Sequence, residues 1–320
     1  MAIIEVPDIL LYKDTTWKSI ANQKSFVNGQ WYNIGVGSGI YKDNNWYVLS
    51  KDIDSMILEY TINSSPLTIT LPLYGNVNCD VDWGDGNINR NSTIEHYEYE
   101  LEPPTEEEIE NGTMILKISS SLPEHTYNNV GTYYVKITGK VTKINGATIY
   151  IPAISRNALT KVVSWGNLQT EDMTHAFRNC ENLREISSPS SESFSKVKIF
   201  NHSFYGDNLV SIPEDFFNNC PVLVDVYSCF DANSSLTSIP SGLFRNCPQI
   251  TNFGYCFSGC ENLTGYTPFD ILPDGSKLEL WERAGKEGYP TSINGQCCFQ
   301  NCKNLSNFQK IPNSGINSWR

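Results

Sequence analysis

Phe177-Arg178-Asn179-Cys180-Glu181-Asn182-Leu183 decides the reading of this chain, because the pattern comes back six more times. The other copies are Phe204-Tyr205-Gly206-Asp207-Asn208-Leu209, Phe217-Asn218-Asn219-Cys220-Pro221-Val222-Leu223, Phe230-Asp231-Ala232-Asn233-Ser234-Ser235-Leu236, Phe244-Arg245-Asn246-Cys247-Pro248-Gln249-Ile250, Phe257-Ser258-Gly259-Cys260-Glu261-Asn262-Leu263 and Phe299-Gln300-Asn301-Cys302-Lys303-Asn304-Leu305. The first of these six is one residue short. Phenylalanines at positions 177, 204, 230 and 257 advance in steps of 27, 26 and 27, and those at 217 and 244 by 27 as well. The repeating unit is therefore one coil of this length, made of two similar halves. The last step, from position 257 to 299, is 42, so one coil exceeds the period by an insertion of about 15 residues. That insertion contains Leu278-Glu279-Leu280-Trp281-Glu282-Arg283-Ala284, which reads as a helical turn or two. A fixed period of this size predicts a solenoid over residues 151–320.

In such an array each coil offers an apolar edge to the next, and a core forms only by stacking. Leu209-Val210-Ser211-Ile212-Pro213 and Leu236-Thr237-Ser238-Ile239-Pro240 read as short strands stopped by proline. Cys180, Cys220, Cys247, Cys260 and Cys302 share one repeat position; Cys229, Cys256 and Cys298 share another. Periodic recurrence at a packing position points to small buried hydrophobes with weak S–H donors. Disulfides between neighbouring positions and a zinc site are the alternatives, the second a poor match to knuckle spacing with no histidine near.

Residues 56–150 read as a β-sandwich. Leu67–Leu71, Val77–Trp83 and Tyr133–Thr138 are strand candidates, and Gly84-Asp85-Gly86 is a hairpin turn between strands. Asp80, Asp82 and Asp85 are close enough to raise the question of calcium. Asp80 and Asp82 share a strand face while Asp85 sits in the turn, and no EF-hand spacing exists, so an aspartate bonding its own turn is the preferred reading and no metal is expected. Asp82-Trp83-Gly84-Asp85-Gly86, then His125-Thr126-Tyr127, then Gly131-Thr132-Tyr133-Tyr134-Val135 resembles a polycystic-kidney-disease (PKD) domain. That resemblance implies an immunoglobulin-like sandwich, with Trp83, Gly84, Asp85, Gly86, His125 and Tyr127 as structural motif residues in a spacer or adhesion module. The chain departs from the family in the longer acidic interval holding Glu95–Glu100 and Pro103–Glu108.

Residues 1–55 carry three copies of aromatic-x-Asp/Asn-x-x-Trp-x-x-Ile/Leu, with Trp17, Trp31 and Trp46 at the same place in each. Each unit is too small to bury its own tryptophan, so the expectation is either a β-meander capping the next domain or a hairpin module docking through those tryptophans onto a larger assembly. The repeat resembles short Trp-repeat hairpins near the N-termini of phage tail and fibre proteins. Residues 151–320 in turn resemble the cysteine-containing leucine-rich-repeat surface proteins of gut Bacteroidales and related repeats in their phages, including crAss-like phages. The fold class expected is thus mainly β: a small hairpin module, an immunoglobulin-like sandwich and a leucine-rich-repeat solenoid.

The charge of −12 over 320 residues, with no Lys/Arg cluster beyond two or three, argues against nucleic acid as a partner. Met1–Asp8 does not read as a signal peptide and no apolar run reaches the roughly 20 residues of a membrane span, so cytoplasmic synthesis without membrane insertion and reduced thiols are expected. The four histidines are His96, His125, His175 and His202. No Gly-x-Ser-x-Gly, His-Glu-x-x-His, P-loop or dinucleotide fingerprint occurs. The chain is read as non-enzymatic, with no cofactor. The resemblances imply a bacteriophage virion structural protein, a head or tail fibre or decoration subunit. It would be an oligomer that contacts other virion proteins through its N-terminal module and a host-surface glycan or protein through its repeats. The alternatives are a bacterial cell-surface adhesin and a purely structural brace of the particle. Tyr227 and Tyr255, two and one residues before the Cys-Phe landmark, are the candidate ligand-binding residues.

Overall fold

The computed structural model describes residues 54–94, 122–146, 151–315 and 318–320, together with six strands between residues 10 and 49. The chain is mainly β and divides into two compact units, Met1–Asp54 and Ser55–Arg320. The first holds three antiparallel hairpins: β1 (Leu10–Lys13) with β2 (Thr16–Ser19), β3 (Lys24–Val27) with β4 (Gln30–Asn33), and β5 (Ser38–Lys42) with β6 (Asn45–Leu49). Their registers set Tyr12 opposite Trp17, Phe26 opposite Trp31 and Tyr41 opposite Trp46. The aromatic-to-Trp spacing of the repeat is thus the spacing of cross-strand neighbours. The side chains of Trp17, Trp31 and Trp46 lie outside the described residues, as do Glu95–Glu100 and Pro103–Glu108.

The second unit opens with β7 (Ser55–Ile62), β8 (Leu67–Thr70), β9 (Leu73–Asp82), β10 (Ile88–Ile94), β11 (Glu124–Tyr127) and β12 (Gly131–Ile144). Short helix α1 (Ala153–Ala158), β13 (Leu159–Trp165) and β14 (Glu185–Ile186) follow. Six strands make an open sheet in the order β10-β9-β12-β7-β13-β14, and β8 pairs with β11 separately. Alternation explains the sheet: Val77, Cys79 and Val81 of β9 and Val135 and Ile137 of β12 are buried, while their neighbours face outward. The sheet does not stop at residue 150, because β13 pairs antiparallel with β7 and parallel with β14. One buried cluster runs from Met56 to Trp319.

From the end of β12 onward the chain climbs in coils. Single parallel bridges link Lys143 to Asp172, Asp172 to Ile199, Ile199 to Asp225, Asp225 to Asn252 and Asn252 to Asn294. Beside each bridge, backbone bonds run from one coil to the next: Ile144 N to Asp172 O, Met173 N to Ile199 O, Phe200 N to Asp225 O, Val226 N to Asn252 O and Phe253 N to Asn294 O, all 2.7–3.0 Å. Inside, Phe177, Phe204, Phe230, Phe257 and Phe299 form one column, with ring centroids 5.9, 5.4, 5.5 and 5.7 Å apart and planes within 20° of parallel. Phe217 and Phe244 stack separately, 5.4 Å apart, in the other half of their coils. All seven are at most 1% exposed, and each contributes about 1.5–3 kcal/mol by burial. Trp319 covers the last ring of the column, its centroid 6.4 Å from that of Phe299.

One local expectation is corrected. Leu209–Pro213 and Leu236–Pro240 are not strands. Val210 N bonds to Arg184 O and Thr264 N to Thr237 O, but proline at 213 and 240 removes a donor, so no ladder extends there. Within Leu278–Ala284 the insertion makes the helical turn expected there. It folds as a hairpin of β15 (Phe269–Ile271) and β16 (Lys277–Glu279), followed by one 3-10 turn at Leu280–Glu282. Buried Arg283 then ties it down, gripping Asp270 with Nε and Nη2 at 2.9 Å each and donating from Nη2 to Phe244 O at 3.0 Å.

Candidate functional site

Three groups of residues stand out from sequence, and they play different parts. The Asp82–Gly86 turn closes on the β11 residues. Gly84 takes φ 76°, and a Cβ there would lie 2.8 Å from Tyr134 O. Asp82 Oδ1 accepts from Gly84 N and Asp85 Oδ1 from Asn87 N, so both aspartates bond their own turn. His125 Nε2 bonds Asp85 Oδ2 at 2.7 Å and its ring stacks on buried Trp83, while Tyr127 Oη donates to Trp83 O at 2.7 Å. Burial alone would raise the Asp85 carboxyl, but the bonds from Asn87 and His125 hold it below its ordinary range. Trp83, Asp85, His125 and Tyr127 are thus one knot that ties the β9–β10 turn to β11.

The cysteines are all free thiols, and every one except Cys297 is buried. Cys180, Cys220, Cys247, Cys260 and Cys302 fall into two columns, since the coil has two halves. Cys260 Sγ donates to Phe230 O at 3.1 Å, Cys302 Sγ to Phe257 O at 3.0 Å and Cys247 Sγ to Phe217 O at 3.2 Å. Each thiol satisfies a carbonyl one coil back. Asn233 does the same from the Cys260 column, giving Nδ2–H to Phe204 O at 2.6 Å. The one acid in that column is Asp207, which is 2% exposed. Burial pushes its carboxyl well above the usual range. Its Oδ1 accepts from Cys180 N at 2.8 Å, and its buried Oδ2 has no partner. Among the described residues no three His, Cys, Asp or Glu side chains converge to hold a metal.

Tyr227 and Tyr255 come together on the outside of the coils, ring centroids 5.6 Å apart. They are the end of a longer row. His175 stacks on His202 at 5.1 Å, and His202 lies 5.3 Å from Tyr227 and 5.7 Å from Tyr205. Arg178 sits over the Tyr205 ring at 4.7 Å. The row crosses four successive coils beside the bridge residues Asp172, Ile199, Asp225 and Asn252, and all five rings are half-buried. Tyr227 has room because residue 254 is glycine: a Cβ there would come within 3.0 Å of Tyr227 Cδ2. Burial lowers the His175 and His202 imidazoles, the latter to about 4, with neighbouring Arg178 adding to both. Both rings are therefore neutral at pH 7. His202 Nδ1 bonds Asn201 Oδ1. With the amide oxygen as acceptor the imidazole proton sits on Nδ1, leaving Nε2 as an acceptor.

Each coil also turns through two residues with positive φ. The first column is His175, His202, Ser228, Tyr255 and Cys297, at 49–59°. The second is Asn179, Gly206, Ala232, Gly259 and Asn301, at 57–70°. Glycine and asparagine enter this region most easily, and another residue there costs about 1–2 kcal/mol. The second column follows that preference in four positions of five, and the first in none. Read along the sequence, His175 and His202 are only histidines outside any catalytic motif. They stand two residues before Phe177 and Phe204, as Tyr255 stands before Phe257, and aligning the coils on phenylalanine is the signal that could have found them.

No family model, no curated protein and no solved structure matches this chain.

Proposed function

We propose that the chain is a non-enzymatic binding protein, a PKD-like sandwich carrying a leucine-rich-repeat-like solenoid, and that it serves as a structural protein of a bacteriophage particle that touches the host surface. The observation that carries the binding reading is the row of half-buried rings from His175 to Tyr255, set on coils whose interior is fully packed. Rings with one apolar face and a polar edge suit recognition at a wet surface. A stack of short coils joined by backbone bonds gives a stiff support for such a row. The place on a particle rests on the sequence likenesses: the Trp-repeat hairpins to phage fibre N-termini, and the Cys-containing repeats to Bacteroidales surface proteins and their phages. The N-terminal hairpins would then dock to other virion proteins and the sandwich would act as the stalk. Mass spectrometry of density-purified phage particles from a gut Bacteroidales host tests this. Peptides of this chain in intact particles are the expected result. Their absence there, with the protein on bacterial envelopes, would replace the virion reading with that of a cell-surface adhesin.

A further inference from the structure

We infer that the row His175–His202–Tyr227–Tyr255 is a subsite for a linear, uncharged oligosaccharide, laid along the coils with one sugar unit near each ring. This deepens the binding reading above and rests on it. The row's two histidines sit where the backbone turns with positive φ, as does Tyr255, and so do Asn179, Gly206, Gly259 and Asn301 of the companion column. Packing does not demand rings at that point, since the coil makes the same turn with Ser228 and Cys297. The backbone bonds that hold the turn are the same whatever the side chain: His175 N to Asn201 O, His202 N to Tyr227 O, Ser228 N to Gly254 O and Tyr255 N to Gln296 O, each 2.8 Å. His175, His202 and Tyr255 therefore occupy strained positions that glycine would fill without strain, and what their rings add is an exterior surface.

The chemistry of that surface selects its ligand. Its ring spacing of 5.1–5.6 Å is comparable with the length of one pyranose unit in an extended glycan. Because His175 and His202 cover each other's faces, the apolar outward edges of the rings meet the C–H groups of a sugar, while imidazole Nε2 and the Tyr227 hydroxyl meet its hydroxyl groups. Both histidines are uncharged at neutral pH, and the flanking acids Asp172, Asp225 and Asp231 outnumber what Arg178 and Lys143 neutralise, with Lys143 already paired to Asp172 at 2.9 Å. With Arg178 and Lys143 beside its histidine end and its formal charges balanced to within one, the row gives an anionic polymer, nucleic acid included, no net attraction. An apolar peptide or lipid finds only one aliphatic residue, Ile199, among the bridge positions from Asp172 to Asn294.

Titration calorimetry of the full chain with cellohexaose, mannohexaose and xylohexaose, and with hexagalacturonate as the acidic comparator, tests the inference. Binding of a neutral hexasaccharide is expected, weakened at least tenfold by Tyr227→Ala and by the pair His175→Gly and His202→Gly. The glycine pair relieves the positive-φ strain and is expected to melt no lower than the parent, which separates a lost ligand contact from a lost fold. Preference for the acidic sugar, or neutral-sugar binding untouched by these variants, would overturn the inference. So would concentration-dependent self-association abolished by the same variants, which would make the row an interface between copies. If the chain binds intact host cells and none of the sugars, the glycan inference fails and the adhesion reading stands; if it binds neither, both fail.

Discussion

Asp207→Asn is expected to make the protein more stable at neutral pH, against the usual direction for a core substitution. In the parent, Oδ1 accepts from Cys180 N, while Oδ2 is buried without a partner. One coil further on, Asn233 shows what an amide does at that position. Its Oδ1 accepts from Leu209 N at 3.2 Å and its Nδ2 donates to Phe204 O at 2.6 Å. An asparagine at 207 keeps the Cys180 bond and supplies the missing donor toward the coil before it. Relief of one unsatisfied buried polar group is worth about 1–3 kcal/mol. In a unit of this size that raises the melting temperature by about 2–4 °C for each kcal/mol. The gain depends on pH with a definite sign. The folded carboxyl titrates well above its unfolded value, so the native chain holds a proton that the unfolded chain releases. The group's full contribution is therefore present below the unfolded value of about 3.9 and is lost as pH rises toward the folded value. The difference between variant and parent should be small at pH 3.5 and widen through pH 5 and 7. Urea denaturation at those three pH values measures it. A variant less stable than the parent at pH 7, or a difference that does not change with pH, would refute the reasoning.

Three further outcomes follow from the same contacts. Arg283→Met leaves the Asp270 carboxylate, 3% exposed, buried with only Tyr289 Oη at 2.8 Å, and should cost about 3–5 kcal/mol by denaturant titration; adding Asp270→Leu should recover most of the loss. Phe230→Ala opens the middle of the ring column between Phe204 and Phe257 and should cost about 3–5 kcal/mol, read as a lowered melting midpoint. A thiol reagent should modify one cysteine quickly in the native chain, half-buried Cys297, and all ten only after unfolding; peptide mapping identifies the site.

Much of the ladder could be read from spacing alone, because stacked coils impose one period on every inward position. The intervals of 27, 26 and 27 between phenylalanines are the steps of one ring column, and the Phe217 and Phe244 pair marks the second half of the coil. The Trp83–Tyr127 knot was legible for another reason: its turn needs glycine at residue 84, which leaves a short signature. What could not be read depends on lateral neighbours. Asp207 occupies a cysteine column, and sequence does not say whether a burial position has a donor facing it. β13 and β14 complete a sheet begun at β7, and a strand pairing between segments so far apart in the chain leaves no local trace. The candidate row was half visible. Tyr227 and Tyr255 could be chosen as aromatics near a landmark, whereas His175 and His202 join them only when the coils are laid one on another.

The most direct test of the chain as the outward-facing binding part of a virion is electron microscopy of intact particles labelled with gold-conjugated antibody to residues 151–320. Gold on fibres or decorations that project from the particle is the expected result. Labelling only after particles are broken open would contradict it and make the protein an internal brace.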